Sequence, residues 1–233
     1  MSPRCVLGVA PTGMSDAIHA PRIAFHLTGF GAFGTADRVE VNPSARLVET
    51  LPETLAQRPL PAHTRVASAR VLRVAGRSAA AQVATLPCDG EEEEGELSVC
   101  VHLGVHTHAK SFLLERCAWN DASFRDADED GWTPKGEPVL VHEAFGACLS
   151  TDVPVADVAQ ALSSLGIPTA VSEDPGRFVC NFLYCASLAA SRGHSARHAL
   201  FAHIPPLEVC PLHEQQRFLC ALLHELAALY SKR

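Results

Sequence analysis

The chain has 233 residues, 47% of them hydrophobic and 19% charged, and its 26 acidic against 19 basic side chains give a net charge of −7. That length suits one compact domain with a full hydrophobic core and is too short to require two. No Lys/Arg run marks a phosphate-backbone footprint, so no nucleic acid is expected as partner, and no stretch of eighteen apolar residues occurs, so no membrane span is expected either.

Residues 1–21 lack the basic-then-apolar core of a signal peptide. They read as a mobile N-terminal extension ahead of a single α/β domain over residues 22–233, with a targeting role the less economical alternative. The nine cysteines are odd in number, irregularly spaced and often set in apolar runs, the usage expected in a reducing compartment. A cytoplasmic protein is the expectation.

From residue 22 onwards strand and helix signals alternate. IAFHLTGF (23–30) reads as a strand that delivers a Gly-rich loop, GFGAFG. ARLVETLPETL, with apolar residues at helical intervals after a Ser44 cap, reads as one helix. TRVASARVLRV (64–74) predicts a second strand, SAAAQVATL (78–86) a short helix, and the acidic run 89–96 an exposed loop. LSVCVHLGV (97–105) is continuously apolar, as a central strand buried on both faces would be. Residues 119–138 turn polar and predict a long loop or small excursion over a sheet edge. Helices over 155–166, 178–193 and 212–232 then alternate with strands over 168–174 and 198–205. The expected fold is a three-layer α/β/α sandwich around a mostly parallel, mixed central sheet.

Reactive groups in such folds gather at the carboxyl ends of strands. In SEDPGRFVCNF, Pro175-Gly176 breaks the chain and Cys180 falls in the first turn of the next helix, where the helix N-terminus favours an anion and its N–H groups suit an oxyanion. Among nine cysteines, however, any one is most simply a buried structural residue, as Cys185 is read to be. In LFAHIPPL, His203 follows a short strand and precedes two prolines, but with twelve histidines composition alone does not select it. Glu115 follows three apolar residues, close to buried surface, where it would either orient a histidine or pair with Arg116. Cys210/His213 and Cys220/His224 do not form a recognised zinc set, and core packing is the favoured reading of Cys220.

Taken in order, LTGFGAFGTADRVEVNPS (27–44), LLERCAWNDASFR (113–125), VSEDPGRFVCNFLYCASL (171–188) and FAHIPP (201–206) resemble the glycine/phenylalanine loop, acid, nucleophile and histidine segments of the pyroglutamyl-peptidase I (pyrrolidone-carboxylate peptidase) family of cysteine peptidases. The resemblance implies Cys180 as nucleophile, His203 as base, Glu115 as acid and Arg125 as a cation near the reacting carbonyl. It further implies an apolar slot for a five-membered lactam from Phe30, Phe33, Phe178 and Val179, with Asn42 and Asn120 as supporting polar residues. The expected substrates are N-terminally pyroglutamylated peptides, cleaved through a thioester on Cys180, with no metal or organic cofactor. A homo-oligomer stands open.

The sequence also departs from the family. Pro175 stands where an alanine is usual, and the loop GVHTHAK after the central strand lacks the usual glycine-rich form. A catalytically silent binder of pyroglutamyl peptides on the same scaffold is therefore the competing expectation.

Overall fold

The computed structural model describes residues 21–34, 39–86 and 95–232. The extension up to residue 20 and the glutamate run 91–94 lie outside the described residues.

The described residues open with β1 (Arg22–Phe30), α1 (Pro43–Glu49), α2 (Leu51–Gln57), β2 (Thr64–Leu72), α3 (Gly76–Thr85) and β3 (Glu96–Val105). There follow β4 (Phe112–Glu115), β5 (Cys117–Trp119), β6 (Ala122–Ser123), β7 (Lys135–Glu137) and β8 (Cys148–Ser150). The rest is α4 (Val155–Ser164), β9 (Thr169–Ser172), α5 (Val179–Ser191), β10 (Arg197–Ile204) and α6 (Leu212–Tyr230). Six strands form the main sheet in the order β2-β1-β3-β10-β4-β9, all neighbours parallel except β10 and β4. The expected mixed, mostly parallel sheet is therefore present, and the apolar run 97–105 lies in one of its two middle strands.

Because side chains alternate along a strand, each strand feeds two cores. Ile23, Phe25 and Leu27 of β1, Val99, Val101 and Leu103 of β3, and Leu200, Ala202 and Ile204 of β10 pack on one face with residues of α1, α4 and α6. The intervening Cys100, Ala199 and Phe201 pack on the other face with residues of α3 and α5. Two helical layers thus sandwich the sheet. Gly29 marks the tightest approach: a Cβ there would lie 2.3 Å from the Ser44 carbonyl oxygen, so α1 can seat on β1 only where a side chain is missing.

Several local expectations need correction. The segment read as one helix is two, α1 and α2, meeting at Thr50; Pro52 has no N–H to continue the first helix and instead sits in the first turn of the second. The cap of α1 is Asn42, not Ser44: the Asn42 side chain accepts the Ser44 N–H at 3.1 Å, and Pro43 occupies the first helical position. Glu96 belongs to β3 rather than to an acidic loop and is held by two hydrogen bonds from Arg65, at 2.8 and 2.7 Å. The polar excursion is built as two small ribbons, β5 with β8 and β6 with β7, and β5 and β8 pack against α5.

Candidate active site

Strand alternation and register decide which side chains can meet. On β10, Leu200, Ala202 and Ile204 point into one core, so Phe201 and His203 point to the α5 side. By the same rule Leu114 of β4 points away from α5 and Glu115 towards it. The register opposes Phe201 to Glu115 and His203 to Leu113. Glu115 and His203 are therefore diagonal neighbours on one face, and His203 Nδ1 lies 2.7 Å from Glu115 Oε1. Both side chains are buried. The ionised carboxylate can only accept, so it fixes the proton on Nδ1 and leaves Nε2 facing the other partner.

That partner is Cys180. After β9, Pro175 is followed by Gly176 at φ 79°, a left-handed conformation that favours glycine. The chain then enters α5 with Phe178 as N-cap in an extended conformation, which puts Cys180 at the second helical position. Its half-buried thiol lies close enough to His203 to act on the imidazole. On the sheet side Gly104, opposite His203 on β3, makes room: a Cβ there would meet the Phe201 ring at 2.7 Å and Cys180 Sγ at 3.0 Å. A side chain at position 104 would push the thiol off the imidazole.

Electrostatics follow from these contacts. Burial pushes the His203 imidazolium towards neutrality, but hydrogen bonds to Cys180 and Glu115, together with their charges, overcome it and raise His203 to about 9. Glu115 Oε2 is buried and has no hydrogen-bond partner among the described residues. The carboxylate thus depends on the imidazole it holds, and an imidazolium there is its natural counter-charge. Below the pair, Tyr184 of α5 donates to the Glu115 carbonyl at 2.9 Å, tying the nucleophile helix to the acid strand. A thiol, an imidazole and a carboxylate connected in series, with the thiol at a helix N-terminus, form an arrangement capable of nucleophilic acyl transfer.

Next to the thiol lies an aromatic wall. The Phe33 and Phe178 rings are 6.4 Å apart, and Phe178 meets Phe124 edge-on at 4.8 Å. Trp132 closes on Phe124 and Phe182, with the Arg77 guanidinium 4.2 Å above its ring. Of the four residues expected to form a slot, Phe33 and Phe178 are half-buried at this wall, whereas Phe30 and Val179 are core residues beneath it.

A family model described as pyroglutamyl peptidase matches residues 24–217, a span that contains the whole thiol–imidazole–carboxylate series. The chain belongs to this family. A pyrrolidone-carboxylate peptidase of Bacillus cereus is 30% identical over 181 residues, covering 77% of this chain and 76% of the relative. One of Vibrio parahaemolyticus is 39% identical over 93 residues, 40% of this chain and 42% of the relative. The chain spans about half the length of several curated relatives it matches, among them 55% of a human pyroglutamyl-peptidase 1-like protein. Among solved structures, the pyrrolidone carboxyl peptidase of Fervidobacterium islandicum is similar with a TM-score of 0.72 at 25% identity, covering 89% of this chain and 99% of that one. The Pyrococcus furiosus pyrrolidone carboxyl peptidase, at 20% identity and a TM-score of 0.74 over 90% of this chain and 99% of that one, shares the fold.

Besides Phe30 and Val179, which lie in the core, one further expected residue is not at the site. Arg125 is not brought to the thiol: its side chain is 95% exposed and its Nε lies 3.3 Å from Asp126 Oδ2. The preceding Phe124 is fully buried against Trp132 and Phe178, and the alternation of the chain turns the next side chain outwards. Asn42 and Asn120 act one step from the site. Asn42 donates to the Gly31 carbonyl at 2.9 Å and so joins the α1 cap to the Gly-rich loop. Asn120 donates to the carbonyls of Leu140, Glu143 and Ala144 and accepts the Leu140 N–H, pinning the 140–144 loop.

Sequence reasoning passed over four residues that the fold brings to the same region. Asn181, next to Cys180, accepts the Trp119 N–H at 2.8 Å and donates to the carbonyls of Trp119 and Asp121, locking the nucleophile turn to β5. Asp128 accepts the Gly76 and Trp132 N–H groups. Gly104 lies on the α5 face of the central strand, and His106 follows just beyond the end of that strand. A glycine inside an otherwise apolar strand was the available signal for the first; nothing in the spacing singles out Asn181 or Asp128. As for the alternative metal reading, no cluster of three potential ligands occurs among the described residues. Cys220 is buried in α6, and both ring nitrogens of His224 are taken by the Cys220 and Pro59 carbonyls.

Proposed function

We propose that this chain is a cysteine exopeptidase that hydrolyses the amide bond after an N-terminal pyroglutamyl residue. The observation that carries the reading is the series Glu115–His203–Cys180, with 2.7 Å between the buried carboxylate and imidazole and a half-buried thiol acting on the same ring from the start of α5.

In this reading His203 takes the thiol proton and Cys180 attacks the pyroglutamyl carbonyl. The first-turn N–H groups of α5 have no intrahelical acceptor and stabilise the oxyanion. Collapse of the tetrahedral adduct breaks the C–N bond, and the imidazolium protonates the departing amine. Water, deprotonated by the neutral imidazole, then splits the thioester and frees pyroglutamate. Glu115 keeps the imidazole in the productive tautomer and carries the counter-charge of the imidazolium. Phe33 and Phe178 suit one face of a small lactam, whose ring N–H and C=O need polar partners nearby. Arg125 would join the reaction only after its exposed side chain swings inwards.

The partners of such an enzyme are N-terminally pyroglutamylated peptides. Seven free cysteines among the described residues are in keeping with a reducing compartment such as the cytoplasm. No helix among the described residues is long and apolar enough to cross a membrane.

Release of a fluorogenic amine from pyroglutamyl and prolyl amides tests the reading. A site that hydrogen-bonds the lactam carbonyl should prefer the pyroglutamyl amide by 10²-fold or more, on the order expected for loss of a polar recognition group. Equal rates on the two substrates, or no release from the pyroglutamyl amide by reduced enzyme, would overturn it.

A further inference from the structure

Beyond the thiol, imidazole and carboxylate, one more titratable ring enters the active centre. His106 is the first residue after β3, and its N–H donates to the Ile204 carbonyl at 3.0 Å, so the loop remains aligned with the end of β10. Two residues beyond Gly104, it continues the face of β3 that looks towards α5. Its ring stands nearly perpendicular to that of His203, with 5.5 Å between centroids. On the other side of His203 the Phe201 ring lies at 4.8 Å. The catalytic imidazole is thus held between two rings, one of which can be charged.

The surroundings of His106 disfavour that charge. Its Nδ1 accepts the His108 N–H at 3.3 Å, so the ring is neutral in this arrangement and carries its proton on Nε2. Protonation of Nδ1 would set two donors against each other and break the contact that holds the ring. The titratable groups acting on it are His203 on β10, Glu115 on β4 and His108 in its own loop; partial burial, His203 and His108 oppose its protonation, while a hydrogen bond to its own backbone and then Glu115 favour it, and the net direction is downwards. Cys180, on α5, is linked to this group through its influence on His203.

We propose that His106 is a positioning residue whose neutral ring, anchored by the His108 N–H, walls the catalytic imidazole, and whose protonation breaks that anchor and withdraws the wall. The inference rests on the peptidase reading for its consequences in turnover. Its geometric content concerns the reactivity of Cys180 and His203 alone.

Two substitutions separate wall from charge. His106→Ala removes both and should lower kcat about tenfold at neutral pH while leaving KM nearly unchanged, because the ring acts through His203 rather than on the lactam. His106→Phe restores an aromatic wall without a charge and should recover most of that loss. It should also carry the acid limb of the pH profile to lower pH, because a phenyl wall does not titrate and is not released by acid. Identical pH profiles and kcat values in all three proteins would overturn the inference, as would a change confined to KM. The rate of Cys180 alkylation by iodoacetamide, followed against pH by mass spectrometry, provides a readout that does not require peptidase activity. Alkylation of the wild type should fall off at higher pH than that of His106→Phe. Coincident curves contradict the inference, and distinct curves without amide hydrolysis would uphold it while removing the peptidase reading.

Discussion

His203 carries two opposed influences, burial that would neutralise it and contacts with Cys180 and Glu115 that raise it to about 9. The sign of the Glu115→Gln substitution follows. A glutamine can still accept the Nδ1 proton but provides no counter-charge, so the imidazolium loses support while the ring keeps its orientation. The expected result is a loss of about 10²–10⁴-fold in kcat/KM, with the alkaline limb of the profile moved to lower pH. An unchanged alkaline limb would mean that Glu115 acts by packing alone. At this scale the sequence was only partly legible. Composition offered Cys180 as one of nine cysteines and His203 as one of twelve histidines, and the ordered segments around them singled them out. Arg125 matched by spacing yet points to solvent, because the burial of Phe124 decides the direction of its neighbour. Spacing cannot register such a choice.

Individual elements bring the three groups together by backbone means. Gly104 is the clearest case, since any Cβ there would crowd both the Phe201 ring and the Cys180 sulfur. Gly104→Ala should therefore reduce turnover at least tenfold, with the thiol displaced from the imidazole. Overpacking of this kind costs roughly 1–3 kcal/mol of stability, which urea denaturation would detect. Activity close to wild type would show that Phe201 can yield instead. The long periodic elements, from β3 to α6, were legible because burial on one or both faces imposes a regular pattern. The break at Thr50 and the true cap at Asn42 were not read, although Pro52 and Pro43 signal both: a helix ends before a proline that cannot continue it, and a proline is well suited to begin one. The small ribbons of the excursion are held largely by side-chain bonds such as those of Asn120 and Asn181, which leave no periodic trace.

For the whole molecule, two buried histidines bound the range of stability from opposite sides. His203 is raised from 6.5 to about 9, so its contribution is complete below pH 6.5 and is lost as the pH climbs through 9. His102 is lowered from 6.5 to about 3, first by burial and then by His26; it lies between Thr28 Oγ1 and Ser187 Oγ, each at 2.8 Å. The unfolded chain takes up a proton below pH 6.5 that folded His102 refuses, so stability falls as the pH drops from 6.5 towards 3. Urea denaturation across pH should give greatest stability near pH 6.5, with His102→Gln flattening the acid decline and His203→Gln the alkaline one. A curve that His102→Gln leaves unaltered would assign acid unfolding to the carboxylates. Catalysis turns on Cys180, at the junction of the α5 N-terminus, the Gly104 gap and the His203 ring. The most direct test of this role compares wild type with Cys180→Ala on a pyroglutamyl amide under reducing conditions, with binding of the uncleaved substrate measured in parallel. The wild type should release pyroglutamate rapidly, and the variant should bind without release. Undiminished release by Cys180→Ala, or binding without release by the wild type itself, would contradict this role.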